Sequence, residues 1–273
     1  MTSGAPTLRC SCGRRHDQPA FCYDAPPPGE TRFDLRNVPY HRAYLRCSVC
    51  AHWYSDNPMD VGNLYDGAYV DSTYGEGLRR TFERILALPP EKSDNFGRVA
   101  RVLAYAAANL PGVRSPALLD VGSGLGMFPY RMKEAGWRCT ALDPDSRAAA
   151  HIREVIGVEV IAGDFMSISE EQLGAFDVIS FNKVLEHLLD PVVMLQKAAR
   201  HLKSGGFMYV EVPDGEAAAA EGPGREEFFI EHHHVFSAES VRMMARHAGL
   251  NALVVESVRE PSTKFTLRAF LIG

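Results

Sequence analysis

The stretch 117–128, ALLDVGSGLGMF, constrains this chain more than any other. Leu118, Leu119 and Val121 make an apolar run of β character around Asp120. The run enters Gly122, Gly124 and Gly126, and an apolar segment with helical spacing follows. A strand that turns through glycines into a helix start leaves its backbone open. Glycine takes positive φ without penalty and lets a ligand approach with no Cβ in the way. The amides of the helix N-terminus then face that ligand. The same spacing serves several cofactors and also plain tight turns, so the turn alone names no ligand.

The segments downstream repeat a strand-then-helix rhythm. Residues 137–142 (WRCTAL) are expected as a second buried strand, ending in Asp143-Pro144-Asp145. This lies about 20 residues past the turn, where an acidic side chain can accept both hydroxyls of a ribose. Residues 158–162, 176–181 and 207–212 read as further strands, and 125–135, 146–155, 191–202 and 238–248 as the helices between them. That alternation predicts an α/β fold with a doubly wound, mainly parallel sheet and right-handed crossovers.

The pieces LLDVGSGLG, ALDPD, GDF, FDVISFNKVLEHLLDP and LKSGGFMYVEVPD occur in this order. Together they resemble class I S-adenosylmethionine-dependent methyltransferases, over residues 117–273. A dehydrogenase would share the glycines but has no use for the later pieces. The resemblance implies a Rossmann-like seven-stranded sheet closed by an antiparallel hairpin, 252–258 with 265–272. It also implies roles. Gly122, Gly124 and Gly126 admit the methionine part of S-adenosylmethionine, and Asp143 takes the ribose hydroxyls. Asp164 and Phe165 take the adenine, by hydrogen bond and ring contact. Asp120 orients the turn or reaches the amino group, and Asn182 sits near the methyl position. Glu186-His187 resembles the family's acidic-histidine pair after the fourth strand, and reads equally well as a pair that holds its loop by hydrogen bonds.

Five of the six cysteines lie in the first fifth of the chain. In a reducing compartment such clustering favours metal over disulfide. Cys10-Ser11-Cys12 and Cys47-Ser48-Val49-Cys50 resemble the two knuckles of a zinc ribbon, each supplying two thiolates to a tetrahedral site. The expected ligands are Cys10, Cys12, Cys47 and Cys50. The first knuckle has one residue between its cysteines in place of two, which leaves Cys22, His16, His41 and His52 as substitutes. So small a module has little core of its own, and zinc would supply the missing folding free energy.

The expected organisation is therefore a zinc-ribbon-like module over 1–60, a linker and helical cover over 61–112, and a cofactor domain over 113–273. In the linker, Tyr65, Tyr69 and Tyr74 can line a pocket or pack on the surface. Helical periodicity appears over 78–88 and 94–110. Residues 215–225 (GEAAAAEGPGR) read as a loop at the carboxyl edge of the sheet, either a lid or an insertion. The chain has a formal net charge of −5, which exerts no general pull on nucleic acid. No run approaches the ~18 apolar residues of a membrane span, and the expected location is the cytoplasm.

The last segment of interest is 228–237, FFIEHHHVFS. It resembles the Tyr-His-Glu-His-x-x-x-Phe-Ser stretch of nucleotide-sugar C-methyltransferases, which also carry an N-terminal zinc module. Glu231, His232, Phe236 and Ser237 match; Phe229 and Ile230 stand where a tyrosine and a histidine would be. The resemblance implies His232 as general base, oriented by Glu231, with an imidazole that titrates near working pH. The function expected is C- or O-methylation of a small polar metabolite, such as a nucleotide-linked sugar, glycan or natural-product intermediate. Two other classes stay open. One is a zinc-finger RNA methyltransferase, although the N-terminal arginines alternate with Asp and Glu instead of forming a basic patch. The other is a non-catalytic zinc-ribbon protein on a methyltransferase fold.

Overall fold

The computed structural model describes residues 10, 12–13, 19–30, 39–59 and 77–273. Three short strands come first, β1 (Pro19–Tyr23), β2 (Arg42–Arg46) and β3 (Trp53–Asp56). Helices α1 (Leu78–Leu86) and α2 (Asp94–Asn109) follow. Then strand and helix alternate: β4 (Ala117–Val121), α3 (Met127–Glu134), β5 (Arg138–Asp143), α4 (Ser146–His151) and β6 (Glu159–Ala162). The second half holds α5 (Glu170–Leu173), β7 (Phe176–Asn182), α6 (Pro191–Arg200), β8 (Leu202–Pro213) and α7 (Gly215–Glu221). It ends with β9 (His234–Val235), α8 (Ala238–His247), β10 (Asn251–Arg259) and β11 (Phe265–Ile272).

Seven strands form one sheet in the order β10-β11-β8-β7-β4-β5-β6. The five strands from β8 to β6 run parallel; β11 is antiparallel to β8, and β10 to β11. All five residues of β4 are buried, as for a central strand covered on both faces. One face packs Leu119, Ile179, Met208 and Leu267 against α6 and α8. The other packs Leu118, Val178, Phe207 and Phe270 against α2 and α3. Each fully buried Leu, Ile or Phe on these faces stabilises the fold by about 1.5–3 kcal/mol.

The helix starts follow from sequence. Asp145 accepts from the Arg147 amide at 2.7 Å and caps α4. Asp190 accepts from the Val193 amide at 3.1 Å, with Pro191 in the first turn of α6. Ser237 and Ser240 form a reciprocal capping pair on α8.

One expected loop is a helix. Residues 215–221 form α7, because Asp214 accepts from the Glu216 and Ala217 amides and four alanines favour helix. Ala218 is buried with Trp53 and Phe228. The expectation of an open loop over 215–225 is corrected for this stretch by its own cap.

The first strands do not stand apart from the large domain. They form a second, antiparallel sheet in the order β1-β2-β3-β9, whose fourth strand is the His234–Val235 pair from far along the chain. Its core is aromatic. Phe21 stacks on Trp53 with ring centroids 4.8 Å apart, and Phe228 meets Trp53 and Tyr44 edge-on.

Candidate functional site

The parallel strands reverse their order between β4 and β7, and a crevice opens outside their carboxyl ends at such a reversal. The glycine turn follows β4 at that point. Gly122, Gly124 and Gly126 all have positive φ, at 71°, 52° and 69°. A Cβ on Gly122 would sit 2.6 Å from Cγ2 of Val184, and one on Gly126 would run into Cδ1 of Ile156. Both positions therefore need glycine for conformation and for space. Gly126→Ala is expected to lower stability by about 1–3 kcal/mol through strain and overpacking. Urea unfolding checks this, and an unchanged midpoint and slope would refute it.

Two aspartates border the turn. Asp120 is buried, and its Oδ1 accepts from Ser180 Oγ at 2.6 Å and Asn182 Nδ2 at 2.9 Å. Burial raises its carboxyl to about 6 against the pull of these hydrogen bonds. Asp120 thus ties β4 to β7 and fixes the amide of Asn182. That amide's Oδ1 has no hydrogen-bond partner and lies buried at the strand end. Asp143, at the end of β5, accepts from the Gly124 amide at 2.7 Å through Oδ2 and from the Asp145 amide at 2.9 Å through Oδ1. Burial raises it too. A carboxylate offers about four lone-pair sites, so two remain for a ligand.

Asp164 accepts from the Met166 amide and from Ser167 Oγ, forming a tight turn after β6. Phe165 is 2% exposed, edge-on to Phe181 at 6.3 Å, with Lys197 Nζ 5.3 Å above its ring.

A second cluster follows β7. Lys183 takes a left-handed conformation, φ 61°, which is unusual for a residue with a Cβ and marks local strain. Its amide donates to the Glu211 carbonyl at 3.0 Å and its Nζ to Thr266 Oγ1 at 2.7 Å. The turn brings Glu186 and His187 beside His232, which is 45 residues beyond His187 in sequence. One ligand atom from each of the three lies within 4.8 Å of the others. Glu186 is 0% exposed, and neither of its carboxylate oxygens has a hydrogen-bond partner. Burial pushes its carboxyl up to about 7, with the Lys183 charge acting the other way. The His187 ring meets that of His232 at 4.9 Å and 63°.

Backbone carbonyls set both tautomers. Nδ1 of His232 donates to the Glu227 carbonyl at 2.8 Å, and Nδ1 of His187 to the Glu231 carbonyl at 3.0 Å. The group that orients His232 is therefore the Glu227 carbonyl, where the Glu231 carboxylate was expected. In each ring Nε2 carries the lone pair. Sequence reasoning missed Glu186 as a partner of His232. Its signal was present only as a family-like pair with a good structural explanation.

The small sheet holds this histidine segment. Tyr44 Oη bonds the His232 carbonyl at 2.6 Å and the Phe229 carbonyl at 3.0 Å. The His233 amide donates to the Glu186 carbonyl, and the His233 carbonyl accepts from Ser55 of β3. His52 Nε2 and His234 Nδ1 are 3.0 Å apart.

Beneath lies the cysteine cluster. Sγ atoms of Cys10 and Cys50 are 2.9 Å apart, those of Cys10 and Cys12 3.3 Å, and those of Cys12 and Cys47 3.4 Å. The Val49 and Cys50 amides point at Cys47 Sγ. Cys22 is exposed and outside the cluster, His41 bonds Asp24, and His52 bonds Ser240 and His234. His16, Tyr65, Tyr69 and Tyr74 lie outside the described residues.

Comparison with known proteins places this geometry. A family profile described as "Methyltransferase domain" matches residues 91–255, more than half the chain. A ubiquinone biosynthesis O-methyltransferase of Xanthomonas campestris pv. campestris (strain B100) is 32% identical over 124 residues, covering 43% of this chain and 51% of that protein. One of Caulobacter vibrioides is 35% identical over 102 residues, covering 34% and 39%. The chain thus spans about half, or less, of the length of these curated relatives. Among solved structures, the 1,6-didemethyltoxoflavin-N1-methyltransferase of Burkholderia thailandensis, with its substrate and S-adenosylhomocysteine bound, superposes with a TM-score of 0.58. It is 18% identical, over 84% of this chain and 94% of that one. The magnesium protoporphyrin IX methyltransferase of Synechocystis PCC 6803, with S-adenosylhomocysteine bound, gives a TM-score of 0.56 at 14% identity, over 75% and 99%. Such distant likenesses show a shared fold. The family match, which spans the glycine turn and most of the seven-stranded sheet, makes this chain a member of the methyltransferase-domain family.

Proposed function

We propose that the chain methylates a small polar metabolite, of the class of nucleotide-linked sugars, glycans or natural-product intermediates, with His232 as the base. The observation that carries this reading is convergence. The glycine turn, Asp143 and the buried Oδ1 of Asn182 gather at the strand-order reversal, and His232 lies beside Glu186 and His187 in the turn that follows β7. In this reading Gly122, Gly124 and Gly126 admit the methionine part of the cofactor, and Asp143 takes the ribose hydroxyls. Asp164 takes the adenine through hydrogen bonds, and Asn182 a donor near the sulfonium. Asp120 acts through Asn182. When bound, S-adenosylmethionine supplies a methyl group already activated by the sulfonium. The protein's part is then to hold the acceptor at attack distance and to remove its proton.

The same reading includes one zinc ion on Cys10, Cys12, Cys47 and Cys50. Four converging thiols, with amides directed at Cys47 Sγ, are a donor set that suits zinc. The division into 1–60, 61–112 and 113–273 belongs to it as well, with the shared β9 making the first unit a support for the third. So does a cytoplasmic location, where thiols stay reduced. The alternation of the N-terminal arginines with Asp and Glu favours a small acceptor over RNA, and among the described residues Arg42 is 0% exposed and paired with Glu30.

Titration calorimetry with S-adenosylhomocysteine tests the cofactor part. Asp143→Ala is expected to weaken binding by about 1.5–3 kcal/mol, as for lost hydrogen bonds to a charged group. Wild-type affinity in the variant would remove the ribose assignment.

A further inference from the structure

We propose that Arg225, acting through the Glu227 carboxylate, is a positioning residue for His232: it holds in place the Glu227 carbonyl that keeps the imidazole proton on Nδ1. The proposal rests on the reading of His232 as the base and deepens it.

Glu227 is engaged at both ends. Its backbone carbonyl accepts from His232 Nδ1 at 2.8 Å. A carbonyl has no proton to give, so this contact puts the hydrogen on Nδ1. Glu227 is 2% exposed, and its carboxylate points to the other side of the turn. Oε1 accepts from the Phe265 amide at 2.6 Å and from Arg225 Nη2 at 2.9 Å, while Oε2 accepts from Arg225 Nε at 3.0 Å. The two arginine bonds make a parallel fork, which fixes direction as well as distance.

Arg225 is itself anchored on neighbouring elements. Its Nη2 donates to the Thr263 carbonyl at 2.7 Å and its Nη1 to Glu221 Oε2 at 3.2 Å, and its guanidinium carbon lies 5.0 Å from the centroid of the Phe265 ring. Thr263, between β10 and β11, has φ 77°, an unusual conformation for a β-branched residue. One side chain therefore ties the short turn Glu226–Phe228 to the end of α7 and to the β10–β11 hairpin.

The other bonds of this segment leave the ring unspecified. Phe228 donates its amide to the Arg225 carbonyl and Phe229 to the Glu226 carbonyl, so the turn's own bonds do not use the Glu227 carbonyl. Tyr44 holds the His232 carbonyl, which places the backbone and says nothing about the imidazole proton. Without Arg225 the Glu227 carboxylate would be a buried charge with the Phe265 amide as its remaining partner. Such a charge turns toward water, and it would carry its own carbonyl away from His232. The same carbonyl also serves after the proton has moved. When Nε2 takes a proton from the acceptor, the ring becomes a cation, and its Nδ1–H bond to Glu227 becomes charge-assisted.

The test uses the full chain with its histidine nitrogens isotopically labelled. Two-bond proton–nitrogen spectra at neutral pH distinguish an Nδ1–H ring from an Nε2–H ring, and His232→Ala identifies the His232 signals by their loss. The wild type is expected to show His232 in the Nδ1–H form alone. Arg225→Met should show both forms. Its transfer of tritiated methyl from S-adenosylmethionine to a small-molecule extract should fall roughly 10–100-fold, as for groups that orient metal-bound imidazoles. S-adenosylhomocysteine affinity should stay at the wild-type value. The double variant Arg225→Met/Glu227→Gln leaves no unpaired charge, so it serves if the single variant does not fold, and it should show the same two changes. Arg225→Lys keeps the charge without the fork and should fall between. A folded variant that loses transfer with the Nδ1–H form intact would overturn the proposal, since the clamp would then be structural only. So would mixed forms with wild-type transfer, or no change in either measurement. These outcomes leave His232 standing as the base; full transfer in His232→Ala would instead remove that reading, and the role of Arg225 with it.

Discussion

His232→Ala is expected to lower turnover by roughly 10²–10⁴-fold, the range for removal of a general base. S-adenosylhomocysteine affinity should barely change, since Asp143 and the glycine turn lie on other segments. Single-turnover methyl transfer measured beside calorimetry separates the two. The pH profile adds a second check. Burial holds the His232 imidazole well below its ordinary 6.5, with the nearby His187, Lys183 and Lys264 charges acting in the same direction and the Glu227 carbonyl against them. A base with a lowered pKa is already neutral at pH 6.5. The acid limb of the rate should therefore lie below 6.5, and the rate should fall only as pH drops further. The resemblance alone had suggested a limb close to 6.5. His233→Ala is the internal control, because that residue engages Glu186 and Ser55 through its backbone. Near-full turnover in His232→Ala, with loss in His187→Ala, would move the base to the other ring.

Cys47→Ser should release the metal and unfold the small sheet. Metal analysis of the purified wild type should find about one zinc per chain, as one four-thiolate site requires. Structural zinc sites contribute about 10–16 kcal/mol of apparent binding free energy, comparable to the ~5–15 kcal/mol stability of a whole domain. Loss of a ligand is thus large on the scale of folding. The consequence should reach the active segment. Tyr44 holds the His232 carbonyl, β3 holds β9, and Ser237 Oγ donates to the Cys50 carbonyl. The variant is expected to lose transfer while the seven-stranded sheet still binds S-adenosylhomocysteine. Cys22→Ser should keep its metal, since Cys22 is exposed and away from the cluster. A zinc-free wild type with a fully formed small sheet would exclude the metal.

The large sheet was legible because its information is local. Residues 117–121 and 176–182 are mostly apolar runs, interrupted by Asp120 in one and by Asp177, Ser180 and Asn182 in the other, and a buried parallel strand favours that pattern. The glycine positions were legible for a similar reason, since a positive φ is a property of one residue and its neighbours. Residues 215–221 were misread because Gly215 and the later Gly-Pro-Gly suggested a loop, while the Asp214 cap and four alanines outweighed them.

The strand–helix alternation by itself determined the mainly parallel sheet, whereas its closing hairpin, the cofactor edge and the cysteine ligands were what the family resemblances implied. Only the tertiary structure decided that β9 joins the small sheet, that the Glu227 carbonyl sets the His232 tautomer, and that Glu186 faces His232 with no hydrogen-bond partner. Each of these depends on two segments meeting at a few ångströms after folding. A hydrogen bond or a buried charge acts over that distance, and spacing along the chain carries no record of it.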